Sequence, residues 1–233
     1  MTVWLSVIVP TYNEHDNIAR LLQQLTQVLE TVTGRYEIIV VDDQSPDGTA
    51  MVVQQCAYGA VRLLQRHGRR DLSAALADGF DAAQGEYVLA MDADLQHDPC
   101  AVLALLQTAQ RSHADVVVAT RYAAGGVVQG WSWWRLALSR CTTQYVRRYL
   151  VQPVSDPLSG FFLLRRAVWK NVRAQLQPAG FKLLLDILLT QPSLCCEEYG
   201  YCFAARQHGS SKFSIKPAWV FLRTLWRLQR RAA

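Results

Sequence analysis

No apolar run in this sequence approaches the ~20 residues needed to cross a bilayer. There is no internal repeat and no low-complexity segment. With 51% hydrophobic residues against 18% charged, a disordered chain is excluded. No Gly-x-Gly-x-x-Gly follows the first apolar run, which argues against a dinucleotide-dependent oxidoreductase. The six cysteines (Cys56, Cys100, Cys141, Cys195, Cys196 and Cys202) lack paired metal-ligand spacing. Nothing at the N-terminus resembles a signal peptide, since Met1-Thr2 leads straight into a strand pattern. Together these absences predict reduced, mostly buried thiols in a cytosolic protein, with no zinc site or disulfide framework. Acidic residues are missing from Phe203 onward, where seven basic ones fall.

The 233 residues that are present suit one domain, 1–233, since single domains run to about 150–250 residues. The net charge of +5 is unevenly spread. Residues 1–118 carry seven Lys/Arg and fifteen Asp/Glu; residues 119–233 carry seventeen and four. An acidic half suits a divalent cation, and a basic half suits phosphates or an anionic membrane surface. Nucleic acid is not expected as a partner, because it would leave the acidic clusters of the first half unexplained.

Apolar strand patterns alternate with helical ones through residue 120. Strands are expected at Trp4–Val9, Glu37–Val41, Val61–Leu64, Tyr87–Met91 and Asp115–Thr120. Helices are expected at Ile18–Leu29, Thr49–Ala57, Leu72–Ala83 and Pro99–Arg111. This is the pattern of an α/β fold with a mostly parallel central sheet flanked by helices. Beyond it the pattern predicts a loop over 121–130, a helix from Trp131 to Leu150 and a strand over Ser159–Leu164. A helix over Phe181–Leu189, a strand pair or one long edge strand over Leu194–Ala205, a polar loop to Lys212 and a helix over Pro217–Arg231 complete it.

Ligands of such sheets bind beyond the carboxyl ends of the strands. Three polar clusters follow strands there: Pro10–Glu14, Asp42-Asp43 and Asp92–Gln96. Asp92 and Asp94, one residue apart where a strand stops, can coordinate a hard cation, and Gln96 can add an oxygen. Asp42 or Asp43 can accept hydrogen bonds from a base or ribose. Tyr12 offers a ring face and Glu14 an acceptor.

At these positions the chain resembles family 2 glycosyltransferases: Ser-Val-Ile-Val-Pro-Thr-Tyr-Asn-Glu, Val-Val-Asp-Asp-Gln-Ser-Pro-Asp-Gly-Thr and Met-Asp-Ala-Asp-Leu-Gln-His-Asp-Pro. Thr-Arg-Tyr-Ala-Ala-Gly-Gly (120–126), Asp-Pro-Leu-Ser-Gly-Phe-Phe (156–162), Gly-Phe-Lys182 and Ala-Arg-Gln-His-Gly-Ser-Ser-Lys (205–212) are similar to the dolichol-phosphate mannose synthase branch. The resemblance implies a GT-A nucleotide-sugar transferase fold, with 1–120 as the nucleotide-sugar and metal half and 121–233 as the acceptor and membrane-facing half. It implies that Pro10, Tyr12, Glu14, Val41 and Asp43 hold the nucleoside. Asp92, Ala93, Asp94 and Gln96 would hold ribose, diphosphate and Mg²⁺ or Mn²⁺, with Asp94 and Gln96 as metal ligands. Arg121, Arg135, Ser139 and Arg206 would face the phosphates, and Lys182 and Lys212 would reach the sugar-diphosphate. Catalysis would rest on Asp94, Arg121, Arg135 and Arg206. Asp156 and Phe161-Phe162 would wall the acceptor pocket.

The residue chemistry agrees with these assignments, because arginine grips phosphate with a planar fork. The implied reaction is inverting transfer, from GDP-mannose or a UDP-sugar such as UDP-glucose, onto a polyprenyl phosphate. A non-catalytic membrane-associated nucleotide-sugar binder is the reading from another class. One departure stands out: Asp71 occupies a position where similar proteins usually have glycine, and aspartate tolerates positive φ less well. Trp131, Trp133 and Trp134 beside arginines, and a C-terminal run rich in Trp, Leu and Arg, predict amphipathic helices lying in the headgroup plane. Similar proteins often continue into membrane spans; with the chain ending at Ala233, the expectation is peripheral attachment to the inner face of a membrane, or an anchor borrowed from a membrane-spanning partner.

Overall fold

The computed structural model of the protein describes residues 3–31, 35–56, 58–178, 180 and 182–205. The first half is the expected alternation: β1 (Val3–Thr11), α1 (His15–Leu29), β2 (Arg35–Asp42), α2 (Thr49–Gln55), β3 (Val61–Gln65), α3 (Leu72–Ala82), β4 (Tyr87–Ala90), α4 (Ala101–Ser112) and β5 (Val116–Thr120). The second half contains β6 (Val127–Val128), α5 (Trp133–Arg147), β7 (Phe162–Arg165), α6 (Arg166–Val172), α7 (Leu183–Thr190), β8 (Cys196–Gly200) and β9 (Cys202–Phe203).

Seven strands form one sheet in the order β3-β2-β1-β4-β7-β5-β8, and only β7 runs antiparallel to its neighbours. Successive side chains of a strand point to opposite faces, and each face is buried here. Val7 and Val9 of β1, with Ile38, Val40 and Leu89, pack under the leucines of α1 and α4. Ile8, with Ile39, Val41, Val88 and Ala90, packs under α3, α6 and α7. Helix α3 comes so close to β1 that a Cβ on Gly79 would stand 2.5 Å from the Ile8 side chain. The order of strands reverses at β1, which has β2 on one side and β4 on the other. Such a reversal opens a crevice at the carboxyl ends of these strands.

Several expectations need correction. Strand β1 continues through Pro10 to Thr11, beyond its last pairing with β4 at Ile8. The span 121–130 is not all loop, because β6 pairs in parallel with β9 in a small second sheet. Helix α5 is shorter than Trp131–Leu150, strand β7 starts three residues later than Ser159, and α6 was not anticipated. The six cysteines are free, as expected, but none is buried. Cys56 and Cys196 are half-buried against the two cores, while Cys100, Cys141, Cys195 and Cys202 are exposed, so position overrides the usual preference of the thiol for the interior. The helix expected over Pro217–Arg231 and the loop through Lys212 lie outside the described residues.

Candidate active site

The turns after β1, β2 and β4 each contain a non-glycine residue in the left-handed region: Asn13 (φ 55°), Gln44 (φ 60°) and Leu95 (φ 59°). For leucine this conformation is strained, and such residues persist only where surrounding structure holds them. Here the first two turns are laced together. Asp42, buried, accepts hydrogen bonds from Thr11 Oγ1 (3.1 Å), Ser45 Oγ (2.6 Å) and Ser45 N (3.0 Å). Helix α1 has no cap from its own N-cap side chain. Instead the amides of Asn13, Glu14 and His15 donate to Ser45 Oγ, Thr49 Oγ1 and Asp47 Oδ2, at 3.0, 3.0 and 3.1 Å. Asp42 therefore braces the two turns against each other.

Asp43 accepts from Arg66 Nη1 at 2.7 Å and from the Asp71 amide at 2.8 Å. Arg66 is gripped on its other side by Asp78, at 2.6 Å. Asp71 has φ −160°, ordinary extended backbone, so no glycine is needed there. Its carboxylate caps α3 through the Ala74 amide (3.0 Å) and accepts the Gly180 amide (2.6 Å). The departure from glycine thus adds a tie between α3 and the loop that carries Lys182. The Arg70 guanidinium lies 3.9 Å over the Tyr12 ring, and Glu14 Oε2 accepts from Asn17 Nδ2 at 2.8 Å. The Val41 side chain is part of the core, so only its backbone can face a nucleoside.

Asp92, Ala93, Asp94 and Gln96 follow β4 at the reversal point. Gly160 lets a loop press on Asp92: a Cβ there would stand 3.1 Å from Asp92 Oδ2. The Gln96 amide nitrogen Nε2 donates to Ala204 O (2.9 Å), which assigns Oε1 as its acceptor atom, and Gln96 N donates to Asp94 Oδ1 (3.2 Å). Two carboxylates and an amide oxygen form an all-oxygen donor set, which fits Mg²⁺ or Mn²⁺ better than softer metals. Among the described residues, no group of three or more His, Cys, Asp and Glu is placed to hold a metal. A site this sparse suits a cation that takes its remaining ligands from a diphosphate and water.

The structure adds His97, which the sequence placed in a loop and gave no role. It is buried, Nδ1 lies 2.7 Å from the Tyr201 hydroxyl and Nε2 lies 3.4 Å from Asp92 Oδ2. Burial raises the Tyr201 phenol, with Asp156, Asp92 and Asp94 adding to the rise against Arg121. A protonated Tyr201 donates to Nδ1 and leaves Nε2–H directed at Asp92. Phe161 packs on this imidazole, while Phe162 points through the sheet to the opposite core, so only Phe161 can wall the site.

On the basic side, Arg121 binds the fully buried Asp156 through Nε (2.7 Å) and Nη2 (2.9 Å). Burial opposes its charge, but the hydrogen bonds and charge of Asp156 prevail and raise its pKa. Trp131 packs against both cations, with Arg135 at 4.3 Å and Arg121 at 5.4 Å from its ring. One turn along α5 from Arg135, Ser139 Oγ meets the Tyr122 hydroxyl at 2.7 Å. Lys182 Nζ donates to Leu158 O at 3.1 Å. Burial and the charge of Arg121 bring Lys182 down to about 8, against the pull of Asp156 and Asp92. Lys182 therefore feels the charges of Arg121, Asp156 and Asp92 together. Arg206 and Lys212 lie outside the described residues.

Trp131 packs inward on Phe203, but Trp133 (82% exposed), Trp134 (56%) and Leu138 (55%) stand on the outer face of α5 with Arg140, Arg147 and Arg148. Among the described residues no helix is long and apolar enough to cross a membrane.

Residues 6–173 match the model of Glycosyl transferase family 2. The chain is 36% identical over 229 residues to a dolichol-phosphate mannosyltransferase of Pyrococcus furiosus, covering 97% of this chain and 64% of that relative's length. It is 34% identical to a dolichol-phosphate mannosyltransferase of Saccharomyces cerevisiae, covering 97% of this chain and 86% of the relative. In fold it is similar to glucosyl-3-phosphoglycerate synthase from Mycobacterium tuberculosis in complex with Mg²⁺ and uridine diphosphate. That match has a TM-score of 0.71 at 20% identity, over 97% of this chain and 79% of the other.

Proposed function

The chain belongs to Glycosyl transferase family 2, and from that premise we propose that it transfers mannose from GDP-mannose, with inversion, onto the phosphate of a membrane polyprenyl or dolichyl phosphate. The observation that carries this reading is the two-sided crevice. Oxygen donors from Asp92, Asp94 and Gln96 follow β4, where His97 packs on Phe203, and cationic Arg121 packs on the same Phe203 and, with Arg135, on Trp131.

A phosphate monoester has its second pKa near about 6, so the acceptor is largely dianionic at neutral pH and needs no strong general base. Its oxygen attacks the anomeric carbon as the bond to the diphosphate breaks, and the electron pair leaves with the nucleoside diphosphate. A divalent cation held by Asp94 and Gln96 would neutralise charge on that leaving group. Arg121, aimed by Asp156, and Arg135, packed on Trp131, orient the attacking phosphate. Ser139 adds a hydroxyl beside them, and Lys182 pairs with the donor diphosphate. Arg206 and Lys212 complete the phosphate ligands in this reading. The outer face of α5 lies in the headgroup plane on the inner side of the membrane, with its tryptophans in the interface. A membrane-spanning partner is one source of further anchoring. Residues 1–120 then serve donor and metal, and 121–233 serve acceptor and membrane.

The test is to incubate purified protein with Mg²⁺, a short polyprenyl phosphate and either GDP-mannose or UDP-glucose, and to detect glycolipid by mass. Product from GDP-mannose alone supports the reading; product from UDP-glucose alone changes the donor. No glycolipid from either, with nucleotide-sugar binding intact, sinks the transferase reading as stated. Arg135→Ala is expected to raise KM for the lipid phosphate by about tenfold, in line with the loss of one charge-assisted contact. Donor affinity, read by calorimetry, should stay unchanged; equal losses in both would remove Arg135 from the acceptor side.

Lys182 gives a pH signature. Its folded value of about 8 lies below the ordinary 10.5, so it is cationic at neutral pH and loses charge as pH rises through 8. Donor affinity is expected to weaken from about pH 7 to about pH 9, and Lys182→Met should bind weakly with no such slope. The same shift makes the unfolded chain hold the extra proton between about 8 and 10.5, so this group's contribution to stability rises with pH across that window.

A further inference from the structure

We infer that Arg70 selects the nucleobase of the donor, favouring an edge with two adjacent acceptors, as in guanine, over the edge of uracil. The inference rests on the reading that a nucleoside lies between Tyr12 and Asp43. Tyr12 stands just past the end of β1, at the reversal point of the sheet. The Arg70 guanidinium covers one face of this ring, 3.9 Å from the ring centroid. A guanidinium is planar and stacks on aromatic faces as a base does, so a base stacking on this face would meet it.

The segment around Arg70 is tied down while its side chain is not enclosed. The Arg66 amide donates to Asp42 O (2.9 Å), and the Arg66 side chain binds Asp43 and Asp78. Gln44 Nε2 donates to Gly68 O at 2.9 Å, and the Asp71 amide donates to Asp43 Oδ2 at 2.8 Å. All of these ties lead to the turn after β2 or to α3, so the Arg70 backbone stays beside the crevice whatever stacks on Tyr12. The Arg70 side chain is exposed and can turn aside. A base that takes the ring face displaces the guanidinium only as far as the base's own edge.

At that edge the chemistry discriminates. Guanine presents O6 and N7, two neighbouring acceptors that an arginine fork matches with two hydrogen bonds. Uracil places an N–H donor between its two carbonyls, so the fork meets a donor where it needs an acceptor. Lysine keeps the charge at this position but lacks the fork.

The test is calorimetric titration of GDP and of UDP, each with Mg²⁺, into wild type, Arg70→Ala and Arg70→Lys. The wild type should prefer GDP. Arg70→Ala should weaken GDP by about tenfold and UDP by less than about twofold, and Arg70→Lys should resemble it. Equal weakening of both nucleotides, with rescue by lysine, would mean that Arg70 serves only the diphosphate charge and would overturn the inference. An unchanged GDP preference in Arg70→Ala would overturn it too, with the donor reading left standing. A wild type that binds neither nucleotide would remove the donor reading itself. Because Arg70 is exposed, a melting curve suffices to show that the variants remain folded.

Discussion

Asp94→Ala is expected to lower sugar transfer by on the order of a thousandfold while leaving the nucleotide-free protein folded and nearly as stable. Removing one group that stabilises charge developing in a transition state costs about 10²–10³-fold, and a direct cation ligand belongs at the upper end. The stability effect is small for a separate reason. Asp92 and Asp94 are like charges at one strand end, so deleting one relieves repulsion even as the 3.2 Å bond from the Gln96 amide is lost. A second readout separates cation binding from activity. In wild type, adding Mg²⁺ together with a nucleoside diphosphate should raise the melting temperature above that with nucleotide alone, since ligands that bind only the folded state stabilise it. In Asp94→Ala that increment should vanish. Near-normal transfer, or an undiminished increment, would remove Asp94 from the cation site.

The second large effect is on stability. Arg121→Met leaves the Asp156 carboxylate buried without its bidentate partner, and breaking a buried pair in this way costs about 3–5 kcal/mol. For a chain of this size that corresponds to a fall in melting temperature of roughly 10 °C. Replacing both partners with apolar residues of similar volume, as Arg121→Met with Asp156→Leu, should recover most of that loss, because the desolvation of both charges is also removed. If Arg121 orients the acceptor phosphate as proposed, transfer should stay at least about a hundredfold down in the stable double variant. If the double variant instead transfers sugar well, Arg121 is a structural arginine and the acceptor phosphate is held elsewhere.

The parts of the site that could be read from the sequence are those carried by contiguous residues. Largely apolar runs such as Trp4–Val9 and Glu37–Val41 announce buried parallel strands, and a polar cluster following each announces the crevice. What escaped depends on partners far apart in the chain. His97 gains its setting from Tyr201, and Arg121 from Asp156. Two-residue β6 exists only because β9 pairs with it, and nothing local in Val127-Val128 signals a strand. Helix α6 buries only Val168, Trp169 and Val172 and lacks a cap, so its seven residues carry too little periodicity to be recognised. The resemblance marks Asp71 as a departure from a usual glycine, whereas the backbone there is extended and the carboxylate is used. The average preference of thiols for the interior says nothing about which face of a helix carries Cys141.

The lacing of the first two crevice turns has a consequence for anyone wishing to graft a different donor preference onto this scaffold. Ser45, Asp47 and Thr49, spaced two apart, supply the acceptors for three successive amides at the start of α1. A transplanted segment covering only 11–15, or only 42–49, would strand those amides or their acceptors at the mouth of the site. The two stretches form one exchangeable cassette despite the helix and strand between them, and a chimera with both from a single parent keeps the laced turns intact.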